Sequence, residues 1–221
     1  MMGAVHSVRP AWQRYILKEC VFLQYSKDAI SLRQHFAAER GSNVYDDLGS
    51  KVPAQPTDIL VLPHFSGAAN PYMDSGSKAA IVGLTLEHTN YDLYKALMEG
   101  VTYEMMINVE HLQSFGICMD KLVATGGGAS SPVWLQIKAD VLNRPVTTIE
   151  AKEAGACGTC MLTAVAVGLC SNLHETKKVF VKEKQTYVPQ PGNAEKYAKN
   201  YKAYNKLYSG VRPVIRELYN N

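Results

Sequence analysis

Three consecutive glycines interrupt the run Lys121-Leu-Val-Ala-Thr-Gly-Gly-Gly-Ala-Ser-Ser-Pro-Val-Trp134, and they constrain the fold more than any other feature of the chain. Leu122, Val123 and Ala124 are apolar and bounded by turn residues, which suits a short buried strand. Gly126, Gly127 and Gly128 carry no Cβ, so backbone there can take positive φ and approach a ligand closely. Ser130 or Ser131 is placed to cap a helix that has Pro132 in its first turn and runs amphipathically from Trp134 to Leu142. A strand, a glycine turn and a helix start present backbone N–H groups and a positive dipole end to an anion such as phosphate. A tight turn with no ligand uses the same residues. Neither the phosphate-loop pattern Gly-x-x-x-x-Gly-Lys-Ser/Thr nor the dinucleotide fingerprint is present; the latter would need a glycine where Ser131 stands.

Length and composition narrow the class. The chain has 221 residues, 47% of them hydrophobic, enough to bury a core as one large domain or two small ones. Its formal charge is 23 minus 20, or +3, with the basic excess between Lys177 and Lys206. Those lysines alternate with Glu175, Glu183 and Glu195 and lack an arginine-aromatic platform, so they read as solvated helix faces and no nucleic-acid partner is expected. The five cysteines, Cys20, Cys118, Cys157, Cys160 and Cys170, are odd in number and lie in apolar or helical sequence, which suits reduced thiols in the cytoplasm. Cys157-Gly-Thr-Cys160 has redox or metal spacing, but with no second pair it reads as two small buried helix residues. No signal segment and no apolar run of membrane-spanning length is seen, so no membrane is expected.

Taken in order, Met1-Met2-Gly3 leads on with no strand to begin a sheet, as though the chain starts in mid-fold. A helix is expected from Pro10 to Gln24 and another from Lys27 to Glu39, broken by Gly41-Ser-Asn43, then a short helical turn from Asn43 to Leu48 and a polar linker from Gly49 to Thr57. Ile59 to Leu62 forms a strand that Pro63 ends; His64 to Gly76 is a long loop, and Ala79 to Leu84 the next strand. Thr89 or Asn90, with Asp92 in the first turn, opens the longest helix, whose Leu93, Leu97, Val101, Met105, Val109 and Leu112 make an apolar stripe facing a core. Pro145 to Ile149 is a strand. Ala156 to Leu169, apolar on nearly all sides, should be buried on nearly all sides. Leu173 to Val181 is a helix, Gln185 to Val188 an edge strand, Pro189 to Gly192 a turn, and Ala194 to Tyr208 a closing helix with Tyr197, Tyr201, Tyr204 and Tyr208 near one face.

Candidate acids and bases do not converge. Asp74 in Pro71-Tyr-Met-Asp suits an Asx-type turn, His64 and His88 stand at strand ends, where a hydrogen-bonded structural role competes with catalysis, and Glu150 and Glu153 are first-turn acids that favour a helix dipole. Neither Gly-x-Ser-x-Gly nor His-Glu-x-x-His occurs, so nothing points to a hydrolase or zinc enzyme. Residue chemistry by itself reaches an α/β domain that binds a nucleotide phosphate.

Several stretches, in order, carry a family likeness: Leu62-Pro-His-Phe-Ser-Gly-Ala-Ala-Asn-Pro-Tyr-Met-Asp74; Ile81-Val-Gly-Leu-Thr-Leu-Glu-His-Thr89 leading into Leu97-Met-Glu-Gly-Val-Thr-Tyr103; Ala124-Thr-Gly-Gly-Gly-Ala-Ser-Ser-Pro-Val-Trp134; Ala139-Asp-Val-Leu-Asn-Arg-Pro-Val146; and Glu153-Ala-Gly-Ala156. Together they resemble the C-terminal half of the FGGY carbohydrate kinases, which include xylulokinase, gluconate kinase and glycerol kinase. The resemblance implies an α/β fold of the ribonuclease-H-like, actin-like ATPase type, with a sheet flanked by helices. It also implies transfer of the γ-phosphoryl group of ATP to a sugar or polyol hydroxyl with Mg2+. By the same likeness the glycine turn lies against the nucleotide, so Gly126, Gly127, Gly128 and Ala129 are expected contacts. A Gly-x-x-x-Gln pair of the family falls on Arg9 and Gln13, keeping the glutamine, and Pro132 stands where some members have an asparagine.

Residues 1–221 are then expected to be a C-terminal nucleotide-binding domain. The N-terminal domain, with its phosphate loop, most sugar contacts and the catalytic aspartate, has no counterpart here, so no catalytic residue or metal ligand is expected within this chain. Phosphoryl transfer depends on both sides of a cleft, and the chain alone should bind nucleotide weakly without turnover. Apolar surface left by the absent domain should favour a homo-oligomer. The rival expectation is a non-catalytic nucleotide-binding domain of the actin-like superfamily that acts through partners.

Overall fold

Thr89 shows how local chemistry sets the frame. The computed structural model describes residues 44–150 and 153–219, and the helices expected over 10–24 and 27–39 lie outside them. The chain divides between Asp47 and Leu48 into two compact units; helix α1 (Val44–Lys51) straddles that division, and all that follows concerns the second unit. Helix α2 (Asn90–Ser114) starts at Thr89, where the Asp92 amide donates to Thr89 Oγ1 at 3.4 Å and the Thr89 amide donates to Asp92 Oδ2 at 2.7 Å, a reciprocal capping box. The Thr89 hydroxyl bond holds the Asp92 carboxyl below its ordinary range. Its stabilising contribution is therefore present at neutral pH and is lost as pH falls through that lowered value. Thr89→Ala should cost about 1 kcal/mol in urea unfolding, with the midpoint shift checking it.

Two small sheets pack on helices. Strands β1 (Leu60–Leu62) and β2 (Ala80–Val82) pair antiparallel with Leu60 opposite Val82. Ile59 and Val61 bury against Ala96 and Leu97 of α2, with Phe65 and Ile81 at the margin. Strand β3 (Leu122–Ala124) runs parallel to β4 (Val146–Ile149), which pairs antiparallel with β5 (Glu183–Tyr187). Helix α3 (Pro132–Leu142) is the crossover between β3 and β4, and its Leu135 and Ala139 pack on Val146, Leu122, Ala124 and Tyr187. Asn143 ends α3 in the left-handed region at φ 47°.

Three expectations need correction. Helix α2 is central, yet the aliphatic stripe is only part of its buried side: Leu97 and Val109 are buried and Met105 and Leu112 are exposed, whereas Lys95, Glu99, Gly100, Thr102 and Tyr103 are buried as well. Hydrogen bonding makes that possible, since a buried polar residue is tolerated where its atoms are satisfied. The closing helix is two helices, α6 (Pro191–Tyr204) and α7 (Leu207–Tyr219), divided at Asn205 and Lys206. Tyr197, Tyr201 and Tyr204 of α6 donate to Glu99, Glu110 and Glu104 of α2 at 2.8, 2.6 and 2.6 Å, while Tyr208 belongs to α7 and donates to Asp74 at 2.7 Å. Finally, helix α4 (Ala154–Ala166) is not enclosed: Ala164 is its buried residue, Leu162 is 60% exposed, and Val167 and Leu169 just beyond are open too. Among the described residues helix α5 (Leu173–Phe180) is its packing partner. An all-apolar composition therefore does not secure burial all round.

Candidate functional site

Parallel strands deliver their carboxyl ends to the same edge of a sheet, where α/β domains generally place ligands. At that edge β3 passes through Thr125 into Gly126, which holds φ 77° and ψ −169°, a region open essentially to glycine alone. A single 3₁₀ turn (Gly127–Ser130) follows, with the Ala129 amide donating to Gly126 O at 3.0 Å. In such a turn the leading amides, here those of Gly127 and Gly128, have no partner within the helix. Gly126 and Gly127 are exposed, Ala129 is half-buried and Gly128 is buried. Neither the 3₁₀ turn nor α3 has an acidic residue in its first turn, so no carboxylate there opposes an anion at this helix start.

The turn is held from behind. Ser131 is the cap of α3, its Oγ accepting from the Trp134 amide at 3.3 Å, which decides between the two serines, and Pro132 occupies the first helical position. The buried Trp134 indole donates to Met98 O at 3.2 Å and Thr102 Oγ1 at 3.1 Å, tying the start of α3 to α2. Lys138 lies over the same ring at 4.1 Å, and burial pushes its ammonium down to about 8.

The remaining candidates resolve into structural roles. Asp74 makes its turn by accepting from the Gly76 amide at 3.0 Å, and also accepts from Tyr208 and, at 3.3 Å, from Arg212 Nε, so it pins α7 to the loop. His88 Nδ1 accepts from the Thr85 amide at 2.9 Å. His64 places Nδ1 2.8 Å from Ser77 Oγ and Nε2 3.4 Å from Glu104 Oε1. This serine, histidine and glutamate line was invisible in the sequence, because its members lie in separate segments. His64 and Ser77 are 4% and 3% exposed, so no substrate reaches them and the line is a core polar contact. Glu150 is exposed, and Glu153 precedes α4 without a side-chain cap bond. Gln13 and Arg9 lie outside the described residues. Cys157 is half-buried and Cys160 exposed, contrary to the buried pair expected, because the α4 surface is open.

In class the domain is an actin-like ATPase fold of the sugar-kinase kind. The solved xylulose kinase of Rhodospirillum rubrum superposes with a TM-score of 0.69 at 29% identity, covering 84% of this chain and 38% of that one. A model of the C-terminal domain of the FGGY family of carbohydrate kinases matches residues 15–167, and the chain belongs to that family. Xylulose kinase of Bacillus subtilis (strain 168) is 28% identical over 161 residues, 73% of this chain and 32% of its own length. Glycerol kinase of Lactococcus lactis is 33% identical over 151 residues, 67% of this chain and 30% of its own. The chain thus spans about a third of the length of the curated relatives it matches. These relatives are named as kinases, and nothing among them favours the non-catalytic rival.

Proposed function

We propose that residues 1–221 form the nucleotide-binding C-terminal domain of an ATP-dependent carbohydrate kinase, which transfers the γ-phosphoryl group to a sugar or polyol hydroxyl. The observation that carries this reading is Gly126, fixed where only glycine fits, immediately ahead of the exposed Gly127 and the leading amides of a 3₁₀ turn. A nucleotide phosphate lying along Gly126, Gly127, Gly128 and Ala129 accepts from the leading amides of Gly127 and Gly128, while the Ala129 amide stays on Gly126 O. Among the described residues no group of three or more His, Cys, Asp or Glu could hold a metal ion. Magnesium would come bound chiefly by the nucleotide's phosphates. We place the acceptor sugar and the base that deprotonates it outside this chain, in the part of the relatives' length that it does not match. The exposed thiols suit a reducing cytoplasm, and the open apolar side of α4 favours self-association of the isolated chain.

Titration with ADP and Mg2+ tests the site. Amide shifts should concentrate on residues 125–131, and Gly127→Val should weaken binding about tenfold or more, a loss of roughly 1.4 kcal/mol, with the urea midpoint held. Gly127 is exposed and is not among the positive-φ glycines, so a valine there intrudes on the ligand, and the urea midpoint shows whether the fold carries it. Shifts centred elsewhere, or equal affinity in the variant, would refute the site. Sugar-dependent ADP release by the chain alone would refute the need for a second domain.

A further inference from the structure

We propose that Cys157 and Cys160 form a redox-active dithiol on helix α4, which closes to an intramolecular disulfide by exchange with a small disulfide. The two residues are a turn apart on a regular helix (Ala154–Ala166), and neighbours at this spacing share a face with Cβ atoms about 5–6 Å apart. Steps of three and four residues lead from Cys157 through Cys160 to the buried Ala164, so the pair lies toward α5, away from the outward Leu162. Cys157 is half-buried with its Sγ directed at Phe180 O, 3.7 Å away. Cys160 is exposed. One thiol is therefore held against α5 and the other is open to a solution reagent.

A disulfide needs its Cβ atoms about 3.5–4.5 Å apart, so the helix must tighten by about an ångström or two between the two residues. The local sequence permits it. Gly158 lies between the cysteines and Gly155 precedes them; each lowers the preference for regular helix, and nothing lies within 4 Å of where a Cβ on either would sit. Glu153, at the start of the helix, accepts the Cys157 amide through its carbonyl at 3.0 Å and adds no side-chain cap bond.

The step balances without another reagent. The Cys160 thiol loses its proton to solvent and its thiolate attacks one sulfur of the small disulfide, forming a mixed disulfide and releasing one thiolate. Cys157, likewise deprotonated, attacks Cys160 Sγ in that mixed disulfide, forms the internal bond and expels the second thiolate. Both departing thiolates take up protons, so one small disulfide is reduced to two thiols as the protein dithiol is oxidised.

The test uses the whole reduced chain without nucleotide, so its outcome is independent of the phosphate site. The chain is equilibrated with oxidised and reduced glutathione at graded ratios, quenched by alkylation and mapped by peptide mass. The expected product is a peptide containing residues 157–160 lighter by two hydrogens and free of glutathione and alkyl label. Cys118, an exposed thiol, should carry only alkyl label or glutathione. In Cys157→Ser the internal bond should vanish and glutathione should accumulate on Cys160, and in Cys160→Ser Cys157 should stay alkylatable. Persistent glutathione on Cys160 of the unaltered chain, or disulfides only between chains, would overturn the proposal.

Discussion

Gly100→Ala should destabilise the fold by about 2–3 kcal/mol, although alanine is the better helix former. Gly100 lies within α2, where it faces strand β1, and a Cβ there would stand 2.2 Å from Val61 O and 3.2 Å from Val61 Cβ. Helix propensity alone favours alanine by about 0.8–1.0 kcal/mol. The clash is with a backbone carbonyl of a strand that also pairs with β2, so relief requires β1 and α2 to move apart. That separation would open the contact of Ile59 and Val61 with Ala96 and Leu97. Urea denaturation of the two proteins measures the difference directly. Gly210→Ala is the control: Gly210 is an exposed residue of α7 with nothing within 4 Å of its Cβ position, so alanine there should stabilise by about 0.5–1 kcal/mol. A Gly100→Ala protein as stable as its parent would show that α2 and β1 do not approach as closely as this.

The same contact explains what the sequence could and could not disclose. The glycine turn was legible because its parts are local: a strand of Leu122 to Ala124, a glycine-only conformation at Gly126 and a capping Ser131 are all determined within a dozen residues. The buried side of α2 was not, because it is defined by a partner far along the chain. Gly100 is buried to let β1 approach, while Thr102 and Glu99 are buried because Trp134, Thr57 and Tyr197 complete their hydrogen bonds. An apolar stripe cannot report such positions. Helix α4 erred in the opposite direction, since its composition resembles a core helix while Leu162 faces out. Helix α7 was missed because Pro213 lies within it, at a position where proline ordinarily interrupts a helix. At the candidate site the backbone cradle could be read from residue types, but the Trp134 anchor behind it needed the packing of α3 on α2.

Glu99→Ala should cost about 3–5 kcal/mol, because it leaves the ammonium of Lys95 buried without its carboxylate. Glu99 and Lys95 are 0% and 2% exposed, with Nζ 3.8 Å from Oε1. Lys95 also donates to Pro53 O at 2.6 Å and Gln55 O at 2.5 Å, and Glu99 accepts from Thr57 Oγ1 at 2.5 Å and Tyr197 OH at 2.8 Å. The pair therefore fastens the segment before β1 to α2 and α6 at once, and alanine would leave the Thr57 and Tyr197 donors without this acceptor. Burial raises the Glu99 carboxyl above its ordinary value despite those bonds, and lowers the Lys95 ammonium. For an acid so raised, the native state holds its proton longer than the unfolded chain does. Its contribution is complete below the unfolded value and is lost as pH rises through the folded one. Glu99→Gln should consequently remove that decline with rising pH, which unfolding curves taken across the range would reveal. In Lys95→Met with Glu99→Leu both charges disappear together, so part of the loss should return; it cannot all return, because the carbonyls of Pro53 and Gln55 lose their donor. Should Glu99→Ala fall within about 1 kcal/mol of the parent, the carboxylate would not be the shared acceptor joining these three segments.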